Sequence, residues 1–376
     1  MAEPGSTLPL RGVRVVEFAE GIAAPYAAQI LAHLGADVLK VERPDGDWLR
    51  ETARASFVVV NKGKRGITLD VKTAAGRQAL WELVGASDVL VTNYRATALE
   101  RLGITWAEVH QAATQVVFAQ LSAYDDEGPL AAVGGTDTIL QAVAGLMDQI
   151  GAADGEPTRV GFPLVDLVAA RDLAAGVLAA LLGRALHRDD GRHVRVSLFG
   201  SASSLLMEAW QRSLSGQATA PRSGNQNAVH APGGVYPCGG GSLLALITLR
   251  NSDWARLCTG LGIPAVAADP RFASNDLRVR HRAALDPLVA DVLRARPASE
   301  WVPRLRAAGI TCGVVHSVES IQADDELRSL VPTVELSGPG APAARALAVP
   351  IRLDGLSAVV APAPPLGAQD AEGWRR

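Results

Sequence analysis

Residues 12–44 read GVRVVEFAEGIAAPYAAQILAHLGADVLKVERP. The β-branched run VRVVEF ends near Gly21, and apolar residues then recur at helical spacing. Pro25 sits in the first turn of that segment, where a missing N–H leaves no bond unmade. DVLKVE is a second apolar run, so the stretch reads strand, helix, strand. The alternation continues through RGITLDV (65–71), TAAGRQALWELVGA (73–86), SDVLVTNY (87–94), TALERLG (97–103) and TQVVFAQLSAY (114–124). Strands this continuously apolar, separated by helices, predict a mostly parallel sheet covered on both faces. The fold class is therefore α/β, with a Rossmann-like large domain.

Residues 137–149 and 166–187 read as helices. The second is apolar nearly all round apart from Arg171 and Asp172, which predicts a largely buried helix. GRHVRVSLFG (191–200) alternates like a half-buried strand. Residues 215–242 hold seven glycines and three prolines, the texture of a linker with an active loop. The expected organisation is a first part of the large domain over 1–215, a linker and small α/β domain over 216–310, and a linker with a C-terminal return to the large domain over 311–376.

The bulk numbers narrow the function. A chain of 376 residues that is 48% hydrophobic and 20% charged folds as a globular protein of two lobes. A net charge of −3, from 36 basic and 39 acidic residues, leaves no footprint for nucleic acid. No uncharged apolar run approaches a membrane span, and no export signal is visible. Cys238, Cys258 and Cys312 lack disulfide or zinc spacing, which points to a reducing cytoplasm. The histidines lack metal-ligand spacing, so no metal is expected. The G-x-G-x-x-G, P-loop and G-x-S-x-G patterns are all missing.

Four groups of residues could carry chemistry. Asp166 opens an apolar helix, where the unpaired first-turn amides favour its ionised form; it is either a cap or a nucleophile. Asp137, after Gly135 and Thr136, opens another helix in the same way. Arg43, Lys72, Asn93, Tyr94 and Arg101 follow strands whose ends share one sheet edge, the edge where ligands bind. Gly233 and Gly234 suit a lid or an oxyanion-binding turn.

Taken in order, LRGVRVVEFAEGIAAPYAAQILAHLGADVLKVERPDGD, NKGKRGITLDVK, VTNYRATALERLGI, GGTDTILQAVAGLM, PLVDLVAARDLAAGVLAAL and GRHVRVSLF resemble the family III CoA-transferases, the CaiB/BaiF family. That group includes formyl-CoA:oxalate and carnitine CoA-transferases and α-methylacyl-CoA racemase; GITCGVVHS and PPLG match more weakly. The resemblance implies a large domain built from both chain ends, a small domain and an interlocked homodimer. It implies transfer of CoA from an acyl-CoA to a carboxylic acid, with no tightly bound prosthetic group. By the same resemblance Asp166 is the nucleophile, Asp137 the assisting acid, and Gly21, Ile22, Ala23, Arg43, Lys72, Asn93, Tyr94 and Arg101 contact CoA.

The departures also carry expectations. Racemases of the family have a histidine where this chain has Thr136, so racemisation loses its base. Ile22 replaces a glutamine of the oxalate enzyme, which argues for a larger or less polar acid. Ala170 replaces a glycine, and GAQD (367–370) replaces GEHT. The alternatives to transfer are an acyl-CoA racemase or isomerase, and a degenerate acyl-CoA-binding paralogue.

Overall fold

The computed structural model describes residues 8–187, 190–337, 344–353 and 360–368; Gln369 and Asp370 of the GAQD segment lie outside them. The chain runs β1 (Arg14–Phe18), α1 (Ala23–His33), β2 (Asp37–Glu42), α2 (Leu49–Thr52), α3 (Arg54–Asn61), β3 (Arg65–Thr68), α4 (Ala74–Gly85), β4 (Val89–Thr92), α5 (Ala96–Leu102), α6 (Trp106–Ala112) and β5 (Val117–Ser122). It continues with α7 (Asp137–Val143), α8 (Leu146–Gln149), α9 (Leu164–His187), β6 (His193–Ser197), α10 (Leu198–Leu205) and α11 (Met207–Leu214).

The six strands form one parallel sheet in the order β3-β2-β1-β4-β5-β6. The crossovers reverse direction between β1 and β4, which makes the sheet doubly wound with its switch point there. Both faces are buried, and neighbouring residues show it. Val15 belongs to the core under α1 and α9, and Val16 to the core on the opposite face with Leu80 and Leu90. A strand covered on both sides has no polar side to alternate with, so residues 12–44 are legible as strand, helix and strand.

The chain divides into two compact units, one of residues 1–146, 159–210 and 331–376, the other of 147–158 and 211–330. The first contains the six-stranded sheet and the antiparallel pair β10 (Thr333–Leu336) and β11 (Ala344–Leu347). The C-terminal segment bonds within that unit, Pro364 O accepting from Arg50 at 3.0 Å and Ala361 O from Gly63 N at 2.8 Å. The second unit has an antiparallel sheet of β7 (Gly233–Pro237), β8 (Leu243–Ile247) and β9 (Thr311–Val314), with a core around Tyr236, Trp254, Phe272 and Trp301. Residues 311–314, expected in the returning segment, thus pair with β8.

Three further readings change. The helix expected over 137–149 is broken at Gly145, whose φ of +85° is outside the helical region. Helix α9 begins two residues earlier than expected, and it is not buried all round. Ala175, Ala179, Leu182 and Leu186 form an exposed apolar stripe, so the apolar content of that face does not serve this chain's own core. The stretch 215–242 is not a linker throughout, since Gly233 and Gly234 pair with Ile247 and Leu246 in the β7–β8 ladder. The two glycines expected as a lid or oxyanion turn are thus residues of a paired strand.

Candidate active site

A cavity of 640 Å³ opens at the switch point. Its wall includes the β1–α1 loop (Glu20 to Ala23), Asn93, Tyr94 and Arg95 after β4, Gly134 to Asp137 at the start of α7, and Arg159, Gly161, Phe162, Pro163 and Asp166 around the mouth of α9. All of these belong to the first unit. Among the described residues no group of three or more His, Cys, Asp and Glu side chains could hold a metal ion.

The β1–α1 loop rests on buried charges. Lys40 Nζ donates to Glu17 Oε1 at 2.8 Å and to Ala19 O at 3.0 Å, and lies 3.0 Å from Asp47 Oδ2. Lys64 Nζ binds the other Glu17 oxygen and donates to Pro25 O and Asn61 Oδ1, both at 2.8 Å. Asp47 in turn accepts from Gly21 N at 3.2 Å. Gly21 has a φ of +79° and the Trp48 indole 3.3 Å from where a Cβ would stand, so only glycine makes this turn without strain. Burial alone would raise the pKa of Glu17, but the two ammonium groups outweigh it and hold the carboxylate below its usual range. Burial likewise opposes the charge on Lys40, and Glu17 and Asp47 outweigh it.

Removing one member of such a chain leaves its partners charged and dry. Lys40→Met should therefore cost about 3–5 kcal/mol of folding free energy. Urea unfolding measures it, and an unchanged midpoint would show that the ammonium is not needed there.

Asn93 and Tyr94 clamp the same loop. Asn93 Oδ1 accepts from Glu20 N at 3.1 Å and its Nδ2 donates to Glu20 O at 2.7 Å. Tyr94 donates its hydroxyl to Glu20 Oε1 at 2.8 Å, with its ring centroid 4.4 Å from that of Phe18. Burial, and then the Glu20 charge, push the phenol pKa up, so the hydroxyl stays a donor. Arg43 pairs with Glu20 at 2.7 Å. Arg43, Lys72 and Arg101 are exposed and lie outside the cavity wall.

The mouth of α9 is built around Asp137. Its Oδ2 accepts from Val165 N at 2.7 Å and Asp166 N at 3.2 Å, and its Oδ1 accepts from Gln141 Nε2 at 2.6 Å. Gln141, fully buried, also accepts from Val160 N at 2.8 Å. Asp137 is thus the cap of α9, reaching from another helix to satisfy first-turn amides. Thr136 precedes α7 and makes no side-chain cap bond, and it lines the cavity with Asp166.

This arrangement reverses the expectation that the helix mouth keeps Asp166 ionised. The favourable amides are spent on Asp137, and what reaches Asp166 is burial and a like charge. Its pKa is pushed up to about 7, by burial first and Asp137 second. Nor are the Val165 and Asp166 amides available to bind an oxyanion. The Asp166 carboxyl itself has no hydrogen-bond partner among the described residues, so in its ionised form it is a bare, poorly solvated carboxylate.

Sequence reasoning missed Arg95, Arg159 and Gln141. Arg95 was within reach of the sheet-edge rule, since it follows Tyr94 directly. Gln141 stands four residues after Asp137 on α7, a helical spacing that could have paired them, whereas Arg159, in the segment leading to α9, has no such signal.

An open parallel sheet with a cavity at its switch point and an unpaired carboxyl of raised pKa in its wall is the layout of an α/β enzyme. The profile of CoA-transferase family III matches residues 10–370, and the chain belongs to that family. It is 33% identical over 328 residues to an acyl-CoA transferase of Fusarium pseudograminearum, covering 83% of this chain and 71% of the relative. It is 30% identical over 385 residues to the formyl-CoA:oxalate CoA-transferase of Streptomyces coelicolor, covering 96% and 93%. A crystal structure of a CaiB/BaiF family protein from Brucella suis superposes with a TM-score of 0.86 at 28% identity, over 97% of this chain and 98% of that one. The protein is a CoA-transferase.

Proposed function

We propose that the enzyme moves CoA from an acyl-CoA to a free carboxylic acid through covalent intermediates on Asp166. The observation that carries this reading is the Asp166 carboxyl, unpaired in the cavity wall, with a pKa near 7. A carboxylate acceptor is a poor direct electrophile, so dividing the exchange into acyl-enzyme steps lowers each barrier.

An ionised Asp166 oxygen attacks the thioester carbonyl, the C–S bond breaks, and sulfur leaves as thiolate, giving a mixed anhydride. The thiolate attacks the Asp166 side-chain carbonyl and expels the donor's carboxylate, leaving an aspartyl-CoA thioester. The acceptor carboxylate attacks that same carbonyl and releases the thiolate again. The thiolate finally takes the acceptor acyl group and frees Asp166. The Thr136 hydroxyl, free of any cap bond, is suited to donate to the oxyanion of these steps, a contribution of about 3 kcal/mol in comparable sites. Asp137 holds the turn that aims Asp166. Gly21 to Ala23, Asn93 and Tyr94 form the wall against which CoA lies, and Arg43, Lys72 and Arg101 are the outer cations for the CoA handle.

Racemisation would call for a second base beside Asp166, and Thr136 cannot act as one. A homodimer in the cytoplasm belongs to the same reading. It is supported by the stripe on α9, where Leu182 and Leu186 are 58% and 67% exposed in the single chain, and by three free cysteines.

Incubation with acetyl-CoA, butyryl-CoA or succinyl-CoA, followed by mass spectrometry, tests the covalent route. We expect a CoA adduct on the peptide carrying Asp166 with at least one donor. Transfer that proceeds with that peptide unmodified and untrapped by hydroxylamine would overturn it.

A further inference from the structure

We infer that Arg50 is a positioning residue: through it the C-terminal segment 360–366 holds the β1–α1 loop in the shape that receives CoA, although neither lines the cavity. The inference rests on the reading above that this loop is part of the wall against which CoA lies.

PPLG (364–367) takes no part in the reaction above, yet the segment containing it is closely seated on glycines. Gly63 N donates to Ala361 O at 2.8 Å, and a Cβ on Gly63 would stand 3.3 Å from Val360. On Gly66 of β3 a Cβ would stand 2.9 Å from Pro364 Cγ and 3.1 Å from its Cβ, and on Gly46 it would stand 3.3 Å from Leu366. Carbons in contact prefer about 3.5–4.0 Å, so a larger residue at Gly66 pushes the segment away. Seated in this way, Pro364 O accepts from Arg50 Nη2 at 3.0 Å.

From Arg50 the contacts run inward without a break. Its guanidinium, 4.1 Å above the Phe57 ring, donates through Nε and Nη2 to the two oxygens of Glu42, at 2.8 and 2.7 Å. A bidentate pair of this kind fixes the orientation of both groups. Glu42, buried at the end of β2, uses the same Oε2 to accept from Asp47 N at 2.9 Å. Asp47, buried as well, accepts from Gly21 N at 3.2 Å and from Leu49 N at 3.0 Å. Gly21 and Trp48, on either side of that carboxylate, both line the cavity. Lys40 holds the Asp47 carboxylate, but Glu42 holds its main chain, and Glu42 keeps its place through Arg50. Without Arg50 a buried carboxylate loses its cation, a penalty the loop can relieve by moving. A continuous chain of contacts carries coupling only if its links depend on one another, which a double-mutant cycle measures.

The test compares the full chain as wild type, Arg50→Met, Arg50→Lys, Gly66→Ala and the two double variants. CoA binding is measured by calorimetry, and kcat and KM with whichever of acetyl-CoA, butyryl-CoA or succinyl-CoA the enzyme uses. Arg50→Met should weaken CoA binding about 3- to 30-fold, the range of couplings from residues that do not touch the ligand, and KM should rise in step while kcat changes little. Gly66→Ala should weaken binding too. Its double variant with Arg50→Met should bind no more weakly than Arg50→Met alone, because Gly66 reaches the cavity only through Arg50. Arg50→Lys keeps the charge on Glu42 without the fork and should fall between. Residues that serve stability alone lower the urea midpoint and leave the affinity of the folded protein as it was; that result, or effects that simply add, overturns the assignment. Should Arg50→Met not fold, the cycle with Arg50→Lys decides by the same rule. If CoA affinity follows the cycle but the wild type exchanges no acyl-CoA, the transferase reading falls and the link stands. If exchange runs and none of the variants alters CoA affinity, the link falls and the transferase reading stands.

Discussion

Asp166→Asn should lower kcat about 10³-fold or more while leaving a folded protein that still binds acyl-CoA. Removing a covalent nucleophile costs far more than removing a binding contact, because no other group can form the intermediate. No CoA adduct should form on the peptide, and the residual rate should not depend on which acid accepts. The same variant should be more stable than the wild type, and the sign follows from the raised pKa. The folded pKa lies near 7 and the unfolded value near 3.8, so the native state binds the proton more tightly. Wild-type stability is therefore undiminished below about pH 4 and declines as pH rises through 7, where the fold must hold an ionised carboxyl with no partner. Asparagine keeps the shape without the charge. At pH 8 the variant should gain stability, up to about 4 kcal/mol, an upper bound because Asp166 is partly open to the cavity. At pH 4 the two proteins should unfold alike. Denaturant unfolding at both pH values measures this, and undiminished transfer by Asp166→Asn would refute the covalent mechanism outright.

Position along the chain made parts of the site legible in the sequence, and contacts between distant residues kept the rest from being read. Asp166 stands out because a lone carboxylate before an apolar helix is conspicuous, and the surrounding PLVDLVAARDLAAG resembles a known family. Its electrostatics were not legible. They depend on Asp137, 29 residues earlier, reaching over to take the amides that would otherwise have favoured ionisation. The sheet was legible from β1, α1 and β2 because burial on both faces leaves apolar runs. One lysine that braces the loop, Lys40, was hidden in those runs. Lys40 lies between Leu39 and Val41, and a charged residue inside a doubly covered strand signals an unseen partner. The sheet-edge rule picked Arg43, Lys72 and Arg101 because they follow strands, but it cannot say which side chains turn inward. The rule also passed over Arg95, whose guanidinium lies over Gly134, 39 residues later in the chain. Contacts of this kind are set by tertiary packing and leave no spacing to read.

The pH dependence of transfer should show which job Asp137 does. If only ionised Asp166 attacks, kcat/KM rises with pH at lower values and levels off above about 7, the value to which burial and Asp137 push the group. Asp137→Asn keeps an oxygen to accept from the Val165 and Asp166 amides but removes the negative charge. With that charge gone, the pKa of Asp166 falls, and the acidic limb moves to lower pH. It should stay above the usual carboxylate range, since burial is the larger cause and remains. The Gln141 contact to Asp137 Oδ1 is disturbed in the variant, so the plateau should also drop, by about 10-fold, as expected for a misplaced reacting group. A proton-handling Asp137 gives a different picture: the plateau collapses and the limb stays where it was. A shifted limb with a modest plateau loss makes Asp137 a positioning and charge-setting residue, whereas an unmoved limb makes it the acid that assists the reaction.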